Sequence, residues 1–157
     1  MPRKRVIGEV AVDYDIPLSV KIELGAYRFV DPLIASGHFP ALKRGKASLI
    51  VEDFFLRNAA GMTMGQVRER MREARRMPLN LAELLALGLA FPELELRFGI
   101  IIALGSSFRI KPGNALPPGI YVPALKNVFG SPEARELKTV CVLPKIGRQT
   151  HFAVFER

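Results

Sequence analysis

Residues that carry covalent and redox chemistry are scarce in this 157-residue chain, which contains one cysteine, two histidines and no tryptophan. The single cysteine, Cys141, excludes an internal disulfide and is typical of a protein kept in a reducing compartment. Residues 84–104 come nearest to the ~18 to 20 uncharged residues of a membrane span, but Pro92 and several charges interrupt them. The basic start of the chain is followed by acids rather than by the apolar core of a signal peptide. We therefore expect a cytoplasmic protein without a membrane partner.

Nucleophilic catalysis has one candidate pair, Cys141 and His151. If the last two predicted strands form a hairpin, the imidazole could accept the thiol proton and so activate the sulfur. Cys141, however, lies between two valines in an apolar strand, where a free cysteine usually behaves as a small buried hydrophobe. We therefore assign no catalytic residue, and the sequence favours a protein that is not an enzyme.

Metal binding has one candidate group, the carboxylates near two strand ends: Asp13, Asp15, Glu52 and Asp53. If the two strands are neighbours, these side chains could gather at one rim and hold Mg²⁺ through their oxygens. The competing interpretation is a helix cap at Asp15 and solvated strand ends for the others. His38 has no partner histidine at ligand spacing, and the glycines lack the Lys-Ser/Thr of a P-loop. The sequence thus assigns no metal and no cofactor, and a small metal-dependent enzyme is kept as an alternative.

Positive charge is what the chain has in excess. The formal net charge is +8 and the isoelectric point is about 10.1, which favours an acidic partner, with nucleic acid first. Basic residues concentrate at residues 3–5, in a loop and on one face of a helix. The candidate nucleic-acid-binding residues of the loop and the helix are Lys43, Arg44, Lys46, Arg68, Arg72, Arg75 and Arg76. The aromatic residues that single-strand binders place among such charges are missing, since the phenylalanines sit in apolar strands.

Two consecutive helices form the predicted centre of the fold. Thr63 and Gln66 have the spacing of a capping box and predict a helix start, and Pro78 ends this helix because proline disfavours helical geometry before it. Asn80 and Glu83 predict the capped start of a second helix. Leucines cover so much of the second helix that we expect it to be buried.

The most apolar strand pattern follows at residues 100–104, where a glycine closes the run. A short run that is apolar on both faces predicts a strand near the middle of a sheet, with the leucine-rich helix against it. Further patterns predict strands at 5–14, 47–56, 120–125, 137–143 and 150–156, and helices at 15–27 and 31–37. We therefore predict one domain, residues 1–157, with an α+β fold. Its sheet is expected to be mixed or antiparallel with five or six strands, and its helices to pack mainly on one face.

Several segments resemble known proteins. Residues 81–88, 91–94 and 102–106, with a later Val122-Pro123, resemble a stretch of uncharacterised small bacterial proteins, and this resemblance implies no activity. The junction at residues 77–83 is similar to one in the C-type-lectin-like fold of sulfatase-modifying-type proteins, although the tryptophans and glycine-rich loops of that fold are missing here. The second resemblance implies a module that binds a small ligand or a protein near loop residues 106–118.

The function predicted from these observations is that of a non-enzymatic cytoplasmic protein whose basic surface contacts nucleic acid or another acidic partner, such as an acidic protein. The alternatives are the small metal-dependent enzyme and the lectin-like binding module. If the basic residues share one face, affinity for nucleic acid should fall steeply with salt, because bound cations are released from the phosphates.

Overall fold

The computed structural model describes residues 4–35, 37, 39, 43–127, 130, 134–142, 145–147 and 151–156. Within these ranges the chain forms a single α+β domain with nine strands and five helices. The strands are β1 (Lys4–Asp13), β2 (Phe29–Val30), β3 (Lys46–Phe55), β4 (Arg76–Pro78), β5 (Ile100–Ile102), β6 (Phe108–Ile110), β7 (Gly119–Asn127), β8 (Arg135–Cys141) and β9 (His151–Glu156). The helices are α1 (Leu18–Leu24), α2 (Pro32–Ala35), α3 (Met64–Glu73), α4 (Leu81–Ala90) and α5 (Leu94–Phe98).

All nine strands belong to one mixed sheet. Seven of them follow the order β1-β3-β9-β5-β7-β8-β2, while β4 pairs with β9 and β6 pairs with β7. β5 runs parallel to β9 and β2 runs parallel to β8, and the other pairs are antiparallel. The predicted α+β domain with a mixed sheet is confirmed, but the predicted number of five or six strands is wrong. The strands β2, β4 and β6 have only two or three residues each, too few for a detectable alternation.

One side of the sheet, which we call the leucine face, carries most of the helices. α4 lies there with Leu84, Leu85 and Leu87 buried in the same core as Ile101, and α1, α2 and α5 add side chains to this core. Burying one leucine side chain contributes roughly 1.5 to 3 kcal/mol, so α4 is a principal source of stability. The predicted burial of this helix is confirmed except at Leu89, which is 49% exposed.

The other side of the sheet, which we call the α3 face, is covered by α3. Val67 and Met71 of this helix belong to a second core that also contains Ile102 and Phe152. Because neighbouring residues of a strand point to opposite faces, Ile101 and Ile102 of β5 feed both cores. β5 is the fourth of the seven strands in the main order, which confirms the predicted central strand. α4 shares a core with this strand but packs mainly against β1 and β7.

Both predicted capping boxes are present. Thr63 Oγ1 accepts a hydrogen bond from the Gln66 N–H at 3.1 Å, and Gln66 Oε1 accepts from the Thr63 N–H at 2.9 Å. Asn80 and Glu83 make the same exchange at 2.9 and 2.8 Å. Between the two helices the chain reverses through Arg75, whose φ of 57° is left-handed. It then forms β4, which packs beside α3. The prediction that this helix continues until Pro78 ends it is therefore wrong, because α3 ends at Glu73 and Pro78 lies in β4.

Two predicted features of the other helices are wrong. α1 has Pro17 rather than Asp15 at its N-cap position, and its N-cap makes no side-chain hydrogen bond. The Asp15 carboxylate instead accepts a hydrogen bond from the Gly45 N–H at 3.0 Å, which joins the end of β1 to the start of β3. The segment between α4 and β5, where no helix was predicted, contains the short helix α5.

Candidate anion-binding site

The arginines of α3 and β4 surround one cleft. Arg68 and Arg72 lie one turn apart on α3, Arg75 follows in the chain reversal, and β4 brings Arg76 alongside. The cavity between them has a volume of about 210 Å³. It is lined by Arg68, Arg72, Arg75, Arg76, Met77 and Pro78. We call it the arginine cleft, and its lining contains no acidic residue.

Arg76 forms the buried part of the arginine cleft. Its guanidinium donates through Nε and Nη2 to the two carboxylate oxygens of Glu52, and the two side chains are only 5% and 10% exposed. Its Nη1 donates to the carbonyls of Ala74 and Arg75 at 3.2 and 3.3 Å. From the sequence, Arg76 was expected beside Arg68, Arg72 and Arg75 on an exposed basic face of a helix, whereas the structure buries it. Its charge is neutralised by Glu52, so its role in the cleft is structural.

Arg68 lies half-buried at the inner side of the cleft. Its Nη2 donates to the carbonyl of Leu104, and its Nε is buried with no hydrogen-bond partner among the described residues. Burial lowers the pKa of Arg68 below its ordinary value, because removing water disfavours the charged form. A guanidinium that has lost water and retains an unsatisfied donor gains more from an incoming anion than an exposed one does.

Arg72 and Arg75 form the exposed rim of the cleft. Arg72 Nη1 contacts Glu69 Oε2 at 2.8 Å, and both side chains are more than half exposed. Such a surface pair is worth only about 0 to 1 kcal/mol, so Arg72 can exchange Glu69 for a bound anion at low cost. Arg75 reaches the rim from a left-handed backbone position that a side chain rarely adopts.

The basic loop lies elsewhere. Lys43 Nζ contacts Glu83 Oε2 at 2.9 Å and packs over the rings of Tyr14 and Phe155, which places it on the leucine face. Arg44 is exposed. Lys46 is also exposed, but it lies six residues along β3 from the Glu52 beneath the cleft, roughly 20 Å at about 3.3 Å per residue. The structure therefore brings together the arginines of α3 and β4 and keeps the loop lysines apart from them.

Glu83 explains why Lys43 is held on the leucine face. Its carboxylate is 1% exposed, closes the capping box of α4, and accepts hydrogen bonds from Tyr14 Oη at 2.6 Å and Lys43 Nζ at 2.9 Å. Burial, and then the bond to Glu83, raise the pKa of the Tyr14 phenol well above its usual range. This network joins α4 to the end of β1, and Lys43 serves it as a neutralising cation.

The strand-end carboxylates do not gather as the metal-site alternative requires. β1 and β3 are antiparallel, with Asp13 opposite Lys46 and Glu52 opposite Val6, so Asp13 and Glu52 lie at opposite ends of the pair. Within the described ranges no group of three His, Cys, Asp or Glu side chains could hold a metal ion. His38 and Arg3 lie outside the described residues.

Cys141 and His151 do not meet. β5 and β7 separate β9 from β8 in the sheet, and three strand spacings amount to roughly 14 Å. The predicted hairpin between these two strands is therefore wrong. Cys141 is also exposed rather than buried as its valine neighbours predicted.

His151 has a partner that the sequence analysis missed. Its Nδ1 lies 2.9 Å from Oδ2 of the buried Asp53, and its ring packs between those of Phe55 and Phe98, with centroids 5.2 and 5.0 Å away. The carboxylate orients the imidazole and selects its tautomer. The pair arises because β3 and β9 are neighbours in the sheet. No local pattern signals which strands pair across so much of the chain.

A second cavity, of about 430 Å³, lies beside the loop that the lectin-like resemblance points to. Its apolar side chains come from α2, β6 and the following turn, and its polar ones from the same turn and β6. The lining residues are Leu33, Phe108, Arg109, Ile110, Lys111, Asn114, Ala115 and Leu116.

Comparison of the chain with protein-family models, with curated proteins and with solved structures gives no match. The two resemblances noted from the sequence therefore stay predictions, and function must be inferred from the sites themselves. Among the helices of the described ranges, none combines the length and the apolar character needed to cross a membrane.

Proposed function

We propose that this chain is a non-enzymatic binding protein whose arginine cleft takes phosphate groups of nucleic acid. The observation that carries the proposal is the half-buried side chain of Arg68, which lines the cleft and forms no ion pair within the described part of the chain. Two exposed guanidinium groups, those of Arg72 and Arg75, stand at the rim of the same cavity. Arginine suits this task because its planar fork matches the oxygens of a phosphate group.

The basic residues outside the cleft help a polyanion to approach the protein but do not form its binding site. The net charge of +8 attracts nucleic acid from a distance and raises the rate of encounter. Arg44 and Lys46 contribute to this field from the far end of β3, and Lys43 contributes less because Glu83 neutralises it. We therefore assign the specific contacts to Arg68, Arg72 and Arg75.

Binding of labelled single-stranded RNA or DNA, measured by fluorescence anisotropy over a range of salt concentrations, tests the proposal. Each phosphate contact on a single strand contributes about −0.7 to the slope of log K against log salt, so three contacts predict a slope of about −2. The double variant Arg72→Ser/Arg75→Gly leaves one contact, so the slope should become shallower, at about −0.7, and binding should weaken. Arg75→Gly is chosen because glycine adopts the left-handed backbone of this position without strain.

Arg44→Ser/Lys46→Ser is the matched control, because it also removes two exposed positive charges, both outside the cleft. It should change affinity much less than the cleft variant does. Equal losses in the two variants would mean that binding follows net charge and not the cleft. Absence of any salt-dependent binding in the wild-type protein would rule the proposal out.

A small-ligand module is the second candidate function, and the 430 Å³ cavity is the observation that favours it. Ligand pockets are commonly about 300 to 1,000 Å³ and mostly apolar with a few polar groups. A thermal-shift screen of monosaccharides and small carboxylates tests this candidate. A ligand that raises the Tm of the wild-type protein but not of Arg109→Ser would support it, and a screen without such a ligand would count against it.

A further inference from the structure

We infer that the arginine cleft takes a terminal phosphate, the phosphomonoester at the end of a nucleic-acid strand, in preference to a phosphodiester within the strand. This inference rests on the proposed function and makes it more specific. Three features of the cleft support this inference: its volume, the number of guanidinium groups that no buried acid neutralises, and the position of Arg68.

The volume of the cleft suits one phosphate group. At about 210 Å³ it has room for roughly seven water molecules of about 30 Å³ each. Proteins that bind single strands along their length use grooves that accommodate about 4 to 16 nucleotides, a far larger space. An internal phosphate enters with a sugar on each side, whereas a terminal phosphate enters with one. The smaller occupant therefore fits the observed cavity better.

The charges of the cleft match a dianion. Glu52 neutralises Arg76 within the fold, and Glu69 pairs with Arg72 only at the exposed rim. Arg68 and Arg75 form no ion pair within the described part of the chain. A phosphomonoester carries a charge of about −1.5 to −2 at pH 7 and three strong acceptor oxygens, against a single negative charge for a diester. The three guanidinium groups of the cleft thus balance the monoester more fully.

The position of Arg68 also favours a phosphate at the end of a nucleic-acid strand. Arg68 lines the cleft from a half-buried position and its Nη2 is already bonded to the Leu104 carbonyl, whereas Arg72 and Arg75 are exposed. An anion that contacts the Arg68 guanidinium must therefore pass the rim arginines. A terminal phosphate can enter the cleft with its three non-ester oxygens first, because it is linked to the strand on one side only. The apolar side chains of Met77 and Pro78 complete the lining and offer no acceptor that competes with the phosphate oxygens.

The test compares single strands of about ten nucleotides, within the range of a typical single-strand site, that carry a phosphate or a hydroxyl at one end. A slightly longer hydroxyl-ended strand with the same total charge controls for the added charge. Titration calorimetry should show the phosphate-ended strand binding about ten-fold more tightly than either hydroxyl-ended strand, as expected for an added charge-assisted contact. Arg68→Gln should reduce the difference to about two-fold, and Arg44→Ser should preserve it.

Each outcome has a separate meaning. Equal affinity for the phosphate-ended strand and the hydroxyl-ended strand of equal charge overturns the inference and leaves the proposed function standing. No binding of any strand overturns both. A preference that survives in both Arg68→Gln and Arg75→Gly overturns the assignment to the cleft. Arg75→Gly also keeps the test decisive if Arg68→Gln does not fold, which a thermal melt of each variant establishes.

Discussion

Replacing Arg76 by methionine should destabilise the fold by about 3 to 5 kcal/mol, since Glu52 would remain as a buried charge without its partner. The two side chains are 5% and 10% exposed, so water cannot replace the lost guanidinium. Methionine keeps most of the apolar volume, and the loss therefore reports the ion pair rather than a cavity. Small domains have a total stability of about 5 to 15 kcal/mol, so this single change removes a large part of it.

Urea unfolding followed by circular dichroism measures the effect. With a slope of about 2 kcal/mol per molar urea, the midpoint should fall by roughly 1.5 to 2.5 M. Arg72→Met is the matched control, because its exposed pair with Glu69 is worth about 0 to 1 kcal/mol. The double variant Arg76→Met/Glu52→Leu should lose much less than the sum of the two single variants, since it removes both buried charges. A loss below about 1 kcal/mol for Arg76→Met, or strict additivity in the double variant, would refute the structural role of Arg76.

Two further predictions concern the leucine face and the backbone contact between Gly105, which follows β5, and Leu79, which precedes α4. Burial and the bond to Glu83 raise the pKa of Tyr14, so the unfolded chain loses its phenolic proton first, at about pH 10. The unfolding free energy should then fall as pH rises above about 10, and Tyr14→Phe should remove this part of the fall; urea midpoints measured from about pH 8 to about pH 11 decide it. Gly105→Ala should cost about 1 to 3 kcal/mol, because its Cβ would lie 2.5 Å from the backbone oxygen of Leu79. Gly65→Ala, whose Cβ has its nearest neighbour at 3.8 Å, should be neutral or stabilising by up to about 1 kcal/mol, and urea unfolding of both variants measures the difference.

Local patterns were sufficient for the parts of the fold that depend on neighbouring residues. The capping boxes at Thr63 and Asn80, the buried α4 and the central β5 could all be predicted, because caps and apolar runs act within one or two turns. The short strands could not be predicted in this way. β4 exists because β9 offers it a partner, and nothing within its three residues indicates that partner.

In the candidate site, too, some features depend on neighbouring residues and others on distant ones. The spacing of Arg68, Arg72 and Arg75 predicted a basic ridge from the sequence alone. The burial of Arg76 depends on Glu52, a residue of another strand, and the separation of Lys43 from the ridge depends on Glu83. Both are tertiary effects, so charge counting overstated the area of the basic surface. The sequence indicated which basic residues the protein contains, but it did not indicate which of them pair with acidic residues inside the fold.

The position of β9 also constrains how this chain can be made. β9 is the strand that joins β3 to β5, and β4 pairs with it as well. Until residues 151–156 have been synthesised, β3 and β5 lack the strand that lies between them, and only the β2–β8 pair links the β1–β3 pair to the strands from β5 to β8 within the sheet. Such pairing between distant parts of a sequence is slow, and open edges invite association with other chains. A nascent chain that stalls before β9 emerges is therefore expected to be a target for chaperones, and the emergence of β9 to be the event that completes the sheet.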